Sequence, residues 1–200
     1  MLSHERRLWA DGYERVAGLD EAGRGCLAGP VVAAAVIMPP QVEITTIQDS
    51  KALSEAQRLD ARATIKEQAV AAAIAGCSPA EIDERNILQA ALKAMRRAAA
   101  ECQPPPDFVL VDGNQWDRNL VDAPWPHETV VKGDAKSQSI AAASILAKTE
   151  RDALMRDLHE EHPEYDWASN VGYPTQQHYA ALREHGVTPH HRQSFTLFRD

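Results

Sequence analysis

Apolar positions fall into short continuous runs and into stripes of helical spacing. Residues 16–20 (VAGLD) and 31–38 (VVAAAVIM) are apolar runs, the second bounded by Pro30 and Pro39. Runs this short, closed by turn residues, predict buried strands. The glycine-rich stretch EAGRG follows the first run, and Gly29-Pro30 precedes the second. Ser54 with Gln57 three residues later is a capping-box signature and predicts a helix over 55–67. The small apolar segment 70–77 lies between two helix signals and is expected to be a third strand. Ser78-Pro79-Ala80-Glu81 is a second capping box with proline at the first helical position. It opens a helix expected to run unbroken to about residue 101, with Ile82, Leu88, Leu92 and Met95 near one face. Three prolines, Pro104 to Pro106, stop it.

The run 108–111 (FVLV) predicts a fourth strand closing on Asp112-Gly113-Asn114, and 129–131 a further one. Between them, 115–127 holds two tryptophans and two prolines and is expected to be a loop. A helix is expected over 137 to about 159, buried through 140–147, which is apolar on nearly every side. Segments 175–184, with Gly186 as its cap, and 188 onward predict two shorter terminal helices. Strands that give way to alternating strands and helices indicate an α/β fold with a mixed sheet. No repeat or low-complexity segment divides the chain, so 200 residues are expected to form one domain with a helical C-terminal extension from about residue 160.

Composition narrows the chemistry. Lysine and arginine number 21 against 29 acids, a net charge of −8, so no global basic field attracts a polyanion. Any anion-binding surface must be local or must use metal ions. Cys26, Cys77 and Cys102 are odd in number and lack CxxC spacing, which excludes a disulfide framework and a zinc ribbon. The first residues carry charge and no apolar stretch of signal type, and no run approaches the ~20 residues of a membrane span. The expectation is a cytoplasmic protein without membrane association.

Carboxylates at the ends of apolar strands are the informative pattern. Asp20-Glu21 closes the first strand and Asp112 closes FVLV, the ends at which open α/β sheets gather ligands. Each alone also fits a solvated strand exit or a turn. Asp152 lies seven residues beyond Ile145 and shares its helical face. Two readings follow: Asp152 points at the core boundary, or it pairs with Lys148 on a solvated surface. Converging acids would repel unless divalent cations neutralise them, and all-oxygen ligands select Mg²⁺ or Mn²⁺ over zinc. Gly23-Arg24-Gly25 offers a backbone that can approach a ligand closely, such as a ribose hydroxyl. Lys132 and Lys136, in KGDAKS, stand near a helix start and fit phosphate as well as a balanced solvated loop. Lys51, in Asp49-Ser50-Lys51, has the same two readings. The segment 183–199 is the most basic of the chain, and its arginines are candidate phosphate contacts. His190 and His191 are adjacent, cannot share one helical face, and are expected on the surface rather than in a zinc site. Tyr173, between Gly172 and Pro174, is placed rigidly enough to stack on a sugar or base.

Taken together, GLDEAGRG (18–25), DSK (49–51), VDGN (111–114), KGDAKS (132–137), SIAAASILAK (139–148), Arg151-Asp152, GYPT (172–175) and HRQSF (191–195) resemble the ribonuclease HII family. The blocks run in family order over nearly the whole chain. The resemblance implies an RNase H-like fold, a mixed five-stranded sheet flanked by helices with a helical C-terminal part. It implies hydrolysis of the RNA strand of RNA–DNA hybrids and nicking 5′ of single ribonucleotides embedded in duplex DNA. Two Mg²⁺ or Mn²⁺ ions would serve, leaving 5′-phosphate and 3′-hydroxyl ends. Asp20, Glu21, Asp112 and Asp152 would be the catalytic, metal-binding acids. Gly23, Arg24 and Gly25 would read the ribonucleotide, Lys51 would contact substrate, and Tyr173 would stack at the RNA–DNA junction. The protein is expected to act as a monomer without an obligate protein partner.

Overall fold

The computed structural model describes residues 1–40, 42–47, 53–116 and 123–198. These residues form a five-stranded sheet: β1 (Val16–Ala22), β2 (Val31–Ile37), β3 (Ala71–Cys77), β4 (Phe108–Asp112) and β5 (His127–Val130). The spatial order is β3-β2-β1-β4-β5. β1 therefore occupies the centre, antiparallel to β2 and parallel to β4. The remaining pairings are β2 with β3, antiparallel, and β4 with β5, parallel. The sheet is mixed, with helices on both faces, as the pattern of runs and stripes predicts.

Helices α2 (Glu55–Gln68), α3 (Pro79–Arg85), α4 (Ile87–Glu101) and α5 (Gln138–Glu161) supply the outer layers, preceded by α1 (Ser3–Ala10). Successive strand residues point to opposite faces. Ala17, Leu19, Ala33 and Ala35 accordingly meet α4 through Ala91, Met95 and Ala98. Ala34 and Val36 meet α2 and α5 through Ile65, Ala142 and Ile145. Alanines in both layers let the helices come close. The closest approach is at Gly18, where a β-carbon would stand 2.1 Å from the main-chain carbon of Ser139.

Five features depart from the sequence reading. The helix expected over 78–101 is two helices, because Asn86 takes a left-handed φ of 74° and its side chain accepts from Gln89 N–H at 3.1 Å. One capping residue thus ends α3 and starts α4, a break that hydrophobic spacing does not register. α1 was hidden by its charges: Leu8 is buried, and the buried Glu5 carboxylate accepts from the Ser137 and Ser139 hydroxyls at 2.6 and 2.8 Å. Glu5 also takes Ser139 N–H at 3.0 Å, so an acid pins the start of α5.

The C-terminal part holds α6 (Trp167–Asn170) and α7 (Gln176–His185), but residues 188–198 are not helical. Their backbone groups go to tertiary partners instead. Arg192 N–H reaches the Leu27 carbonyl at 2.8 Å, and the His190 carbonyl takes Gly29 N–H at 2.8 Å. His191 is buried rather than on the surface, its Nε2 3.1 Å from His178 Nε2, and burial pushes it down to about 4. Arg192 is buried too, donating to the carbonyls of Gly29, Arg24 and Pro30 at 3.0–3.1 Å, so it is no phosphate contact. Among the described residues no helix is long and apolar enough to cross a membrane.

Two outcomes follow from this packing. Gly18→Ala must move α5 off β1, so the melting midpoint should fall by the equivalent of about 3 kcal/mol or more; an unchanged midpoint would show that the contact yields. Glu81 braces α3 to α4 through Lys93 at 2.7 Å and Arg97 at 2.9 Å, contacts that hold its carboxyl at about 2. A depressed carboxylate contributes stability above its unfolded pKa and loses it as pH falls from 4.5 through about 2. Glu81→Gln, which keeps a competent cap, should cost about 1–2 kcal/mol at neutral pH after solvent screening. In denaturant titrations that difference should close across the same acid window.

Candidate active site

β1 delivers two acids from the middle of the sheet. The strand pleat turns Asp20 toward α5, where Ser144 hydrogen-bonds it, and Glu21 toward the α4 side, near Leu88 and Leu92. The parallel register sets Leu19 beside Val111, so the next residue of β4, Asp112, stands next to Asp20. Asp112 Oδ1 accepts the N–H of Gly133 at 2.6 Å, which ties the loop after β5 to the strand end. Lys132, in a left-handed conformation, turns the chain there, and buried Asp134 follows. Asp20, Glu21, Asp112 and Asp134 line one cleft of about 480 Å³ together with Ser144 and Lys148.

Charge is strained in this cleft. Burial pushes Asp20 well above the usual carboxylate range, and the charges of Glu21 and Asp112 push it further. Burial also raises Glu21, which Arg24 opposes by donating to Oε1 at 3.1 Å. Three carboxylates in Coulombic contact, with a fourth lining the same cleft and only oxygen atoms to offer as ligands, fit a hard divalent cation. Such a cation would offset both the burial and the repulsion that raise Asp20.

The opposite wall is built for close approach. Gly23 has φ +95°, and a β-carbon there would stand 2.0 Å from Arg151 Nε. Buried Arg151 spends its donors on the carbonyls of Pro30, Val171 and Ala28 at 2.9–3.0 Å. With Arg192 on the Arg24 carbonyl, two cations hold loop 23–30 through backbone oxygens. Tyr173 is 44% exposed, and its ring edge is 3.7 Å from the β-carbon position of Gly25. The ring and the bare backbone of Gly25 thus form one surface at the cleft.

The structure brings Asp20, Glu21, Gly23, Arg24, Gly25, Asp112 and Tyr173 together around the cleft. It does not bring Asp152 to the cleft wall. Asp152 accepts from Lys148 Nζ at 2.7 Å, as the pairing reading expects, but its carboxylate is only 13% exposed and so lies at the core boundary rather than on a solvated surface. Seven residues past Ile145 keep the face but advance about 10 Å along the axis, which leaves Asp152 near enough for its charge to act on Tyr173. Lys51 lies outside the described residues. Lys136 donates to the Val131 carbonyl at 2.7 Å, whereas Lys148 does line the cleft. Several lining residues escaped the sequence reading, Ser144, Arg58 and Asp134 among them. Arg58 looks like one more exposed helix position, and Asp134 stands among the balanced charges of KGDAKS. The available signal was the glycine before Asp134, which permits a tight turn toward Asp112.

Comparison with known proteins agrees with this geometry. The family model described as Ribonuclease HII matches residues 17–198. A ribonuclease HII of Salinibacter ruber is 92% identical over 200 residues, covering all of both chains. The PCNA:RNase HII complex of Archaeoglobus fulgidus contains a chain 25% identical, with a TM-score of 0.78, covering 93% of this chain and 97% of that one. Bst-RNase HIII in complex with Mn²⁺ shares the fold at 17% identity and a TM-score of 0.73, over 92% of this chain and 68% of that one. The chain therefore belongs to the ribonuclease HII family and is an enzyme of the ribonuclease H class.

Proposed function

We propose that this enzyme hydrolyses the RNA strand of RNA–DNA hybrids and nicks duplex DNA 5′ of single embedded ribonucleotides, leaving 5′-phosphate and 3′-hydroxyl ends. The observation that carries the reading is the convergence of Asp20, Glu21, Asp112 and Asp134 in one cleft beside Gly23–Gly25 and Tyr173. Those four acids would hold Mg²⁺ or Mn²⁺, probed as two ions, with Asp134 in the place that the sequence reading gave to Asp152. Bound there, dications would supply charge to the phosphoryl oxygens and lower the pKa of the attacking water.

The chain's own groups do the rest. The backbone of Gly23 and Gly25, free of β-carbons, would meet the ribose 2′-hydroxyl, the group that separates RNA from DNA. Tyr173 would stack on the sugar that follows. Lys148 and Arg58 line the cleft and would meet the substrate phosphates, with Asp152 holding the ammonium of Lys148 in place. At a net charge of −8, such local cations and the metal must do what a basic surface does elsewhere. The Mn²⁺ of Bst-RNase HIII supports the metal class, and the all-oxygen donors support it independently. We place the enzyme in the cytoplasm, acting as a monomer.

Asp112→Asn and Asp134→Asn should each reduce Mg²⁺-dependent nicking of a single-ribonucleotide duplex by at least a hundredfold while the fold survives. Asp152→Asn should keep turnover within about tenfold and chiefly raise KM, since it loosens Lys148 rather than the metal. Loss in Asp152→Asn with full activity in Asp134→Asn would reverse the assignment. Tyr173→Ala should weaken productive binding by ~1–3 kcal/mol, about 5- to 150-fold. The loss should be larger on a single ribonucleotide than on a long hybrid, and an equal loss on both would make Tyr173 a packing residue.

A further inference from the structure

Outside the cleft, the far end of α5 carries a second group of metal-ligating side chains. Glu161, His162 and His190 each offer one ligating atom, and these lie within 4.8 Å of one another. Glu161 is exposed and both histidines are half-buried, so the group is open to an ion from solvent. Three atoms 4.8 Å apart enclose a point about 2.8 Å from each, so each must close by about 0.7 Å to reach a 2.0–2.1 Å bond. An exposed glutamate and two half-buried imidazoles can make that adjustment by small rotations.

The surroundings prepare the two rings. His162 and His190 stand edge to face 5.6 Å apart, and both pack against buried Trp167, at 5.7 and 6.2 Å. Trp167 is itself fixed by its hydrogen bond to His178 at 3.1 Å. His162 Nδ1 is 3.2 Å from the Glu164 carboxylate. A carboxylate on one ring nitrogen orients an imidazole and makes the other nitrogen the better donor, as in histidine metal sites generally. The backbone of His190 is anchored on both sides, its N–H on Thr188 Oγ1 at 3.2 Å and its carbonyl on Gly29 N–H at 2.8 Å.

We propose that Glu161, His162 and His190 form a structural site for a borderline divalent ion of the Zn²⁺ class, with water completing the tetrahedron. Two imidazoles and a carboxylate suit Zn²⁺ rather than Mg²⁺, whereas the cleft has oxygen donors alone, so the two sites select different ions. The ion would clamp the end of α5 to the segment whose next residues enter the core. Two residues beyond His190, Arg192 holds the carbonyls of Arg24, Gly29 and Pro30. The site would thereby steady the loop that faces substrate, without touching substrate itself.

The test uses full-length protein stripped with chelator and then held in excess Mg²⁺ so that the carboxylate cleft is loaded. Zn²⁺ is titrated by calorimetry, and melting is followed with and without it. We expect one saturable Zn²⁺ per chain and a raised melting midpoint. Affinity should fall at least tenfold in His190→Ala and in Glu161→Gln, whose midpoints in chelator should match the parent's. It should be unchanged in Asp112→Asn. Co²⁺ substitution should give a visible absorption band that disappears in the same two variants. The proposal is overturned by the absence of saturable binding under Mg²⁺, or by binding that survives both variants. Binding lost only in Asp112→Asn would also overturn it, by assigning the ion to the cleft.

Discussion

The contact between α5 and β1 is the constraint on which the remaining structure depends. With no side chain at Gly18, the helix backbone lies directly on the central strand. That proximity sets the height of everything α5 carries: Ser144 beside Asp20, Lys148 at the cleft, Arg151 under the Gly23 turn. Glu5 fixes the sliding coordinate by capturing the Ser137 and Ser139 hydroxyls at the helix start. Height and register together leave the acids little freedom, which is what a constellation needs if charge is to be concentrated in it.

Two kinds of charge burial stand side by side. The two carboxylates of β1 are buried and raised, with the charge of Asp112 on β4 pressing on both, a state that favours binding of cations from outside. Arg151 and Arg192 are buried and their hydrogen bonds go to backbone carbonyls, with Asp83 acting on Arg192 only from a distance. An acid pairing with either arginine would have neutralised it, but would also have added negative charge beside a site that must accept a phosphodiester. Carbonyl groups provide the hydrogen bonds without the charge.

Legibility in the sequence followed the range of the interaction concerned. Strands β1, β2 and β4 were readable because an apolar run between turn residues is a local pattern, and their terminal acids came with them. Asp134 was not, because its place depends on a left-handed Lys132 and on the hydrogen bond from Gly133 to a strand twenty residues earlier. Asp152 shows the same limit in reverse: helical spacing gives the face but not the height along the axis. The pair His190-His191 shows the limit most plainly. Read as neighbours on a surface, they diverge in the fold, one into a buried pair with His178 and the other toward His162. Helical propensity after Pro189 was overridden by hydrogen bonds to residues 27 and 29.

The Arg192 bond to the Arg24 carbonyl spans 168 residues of chain. During synthesis at the ribosome, the central strand and the first acids emerge long before that guanidinium exists. Until residues 188–192 leave the exit tunnel, loop 23–30 lacks its backing and the cleft lacks one wall. At ~5–20 residues per second the interval is about ten to thirty seconds. A nascent chain of this build can assemble its sheet early and still lack the backing of its glycine loop until residue 192 has emerged.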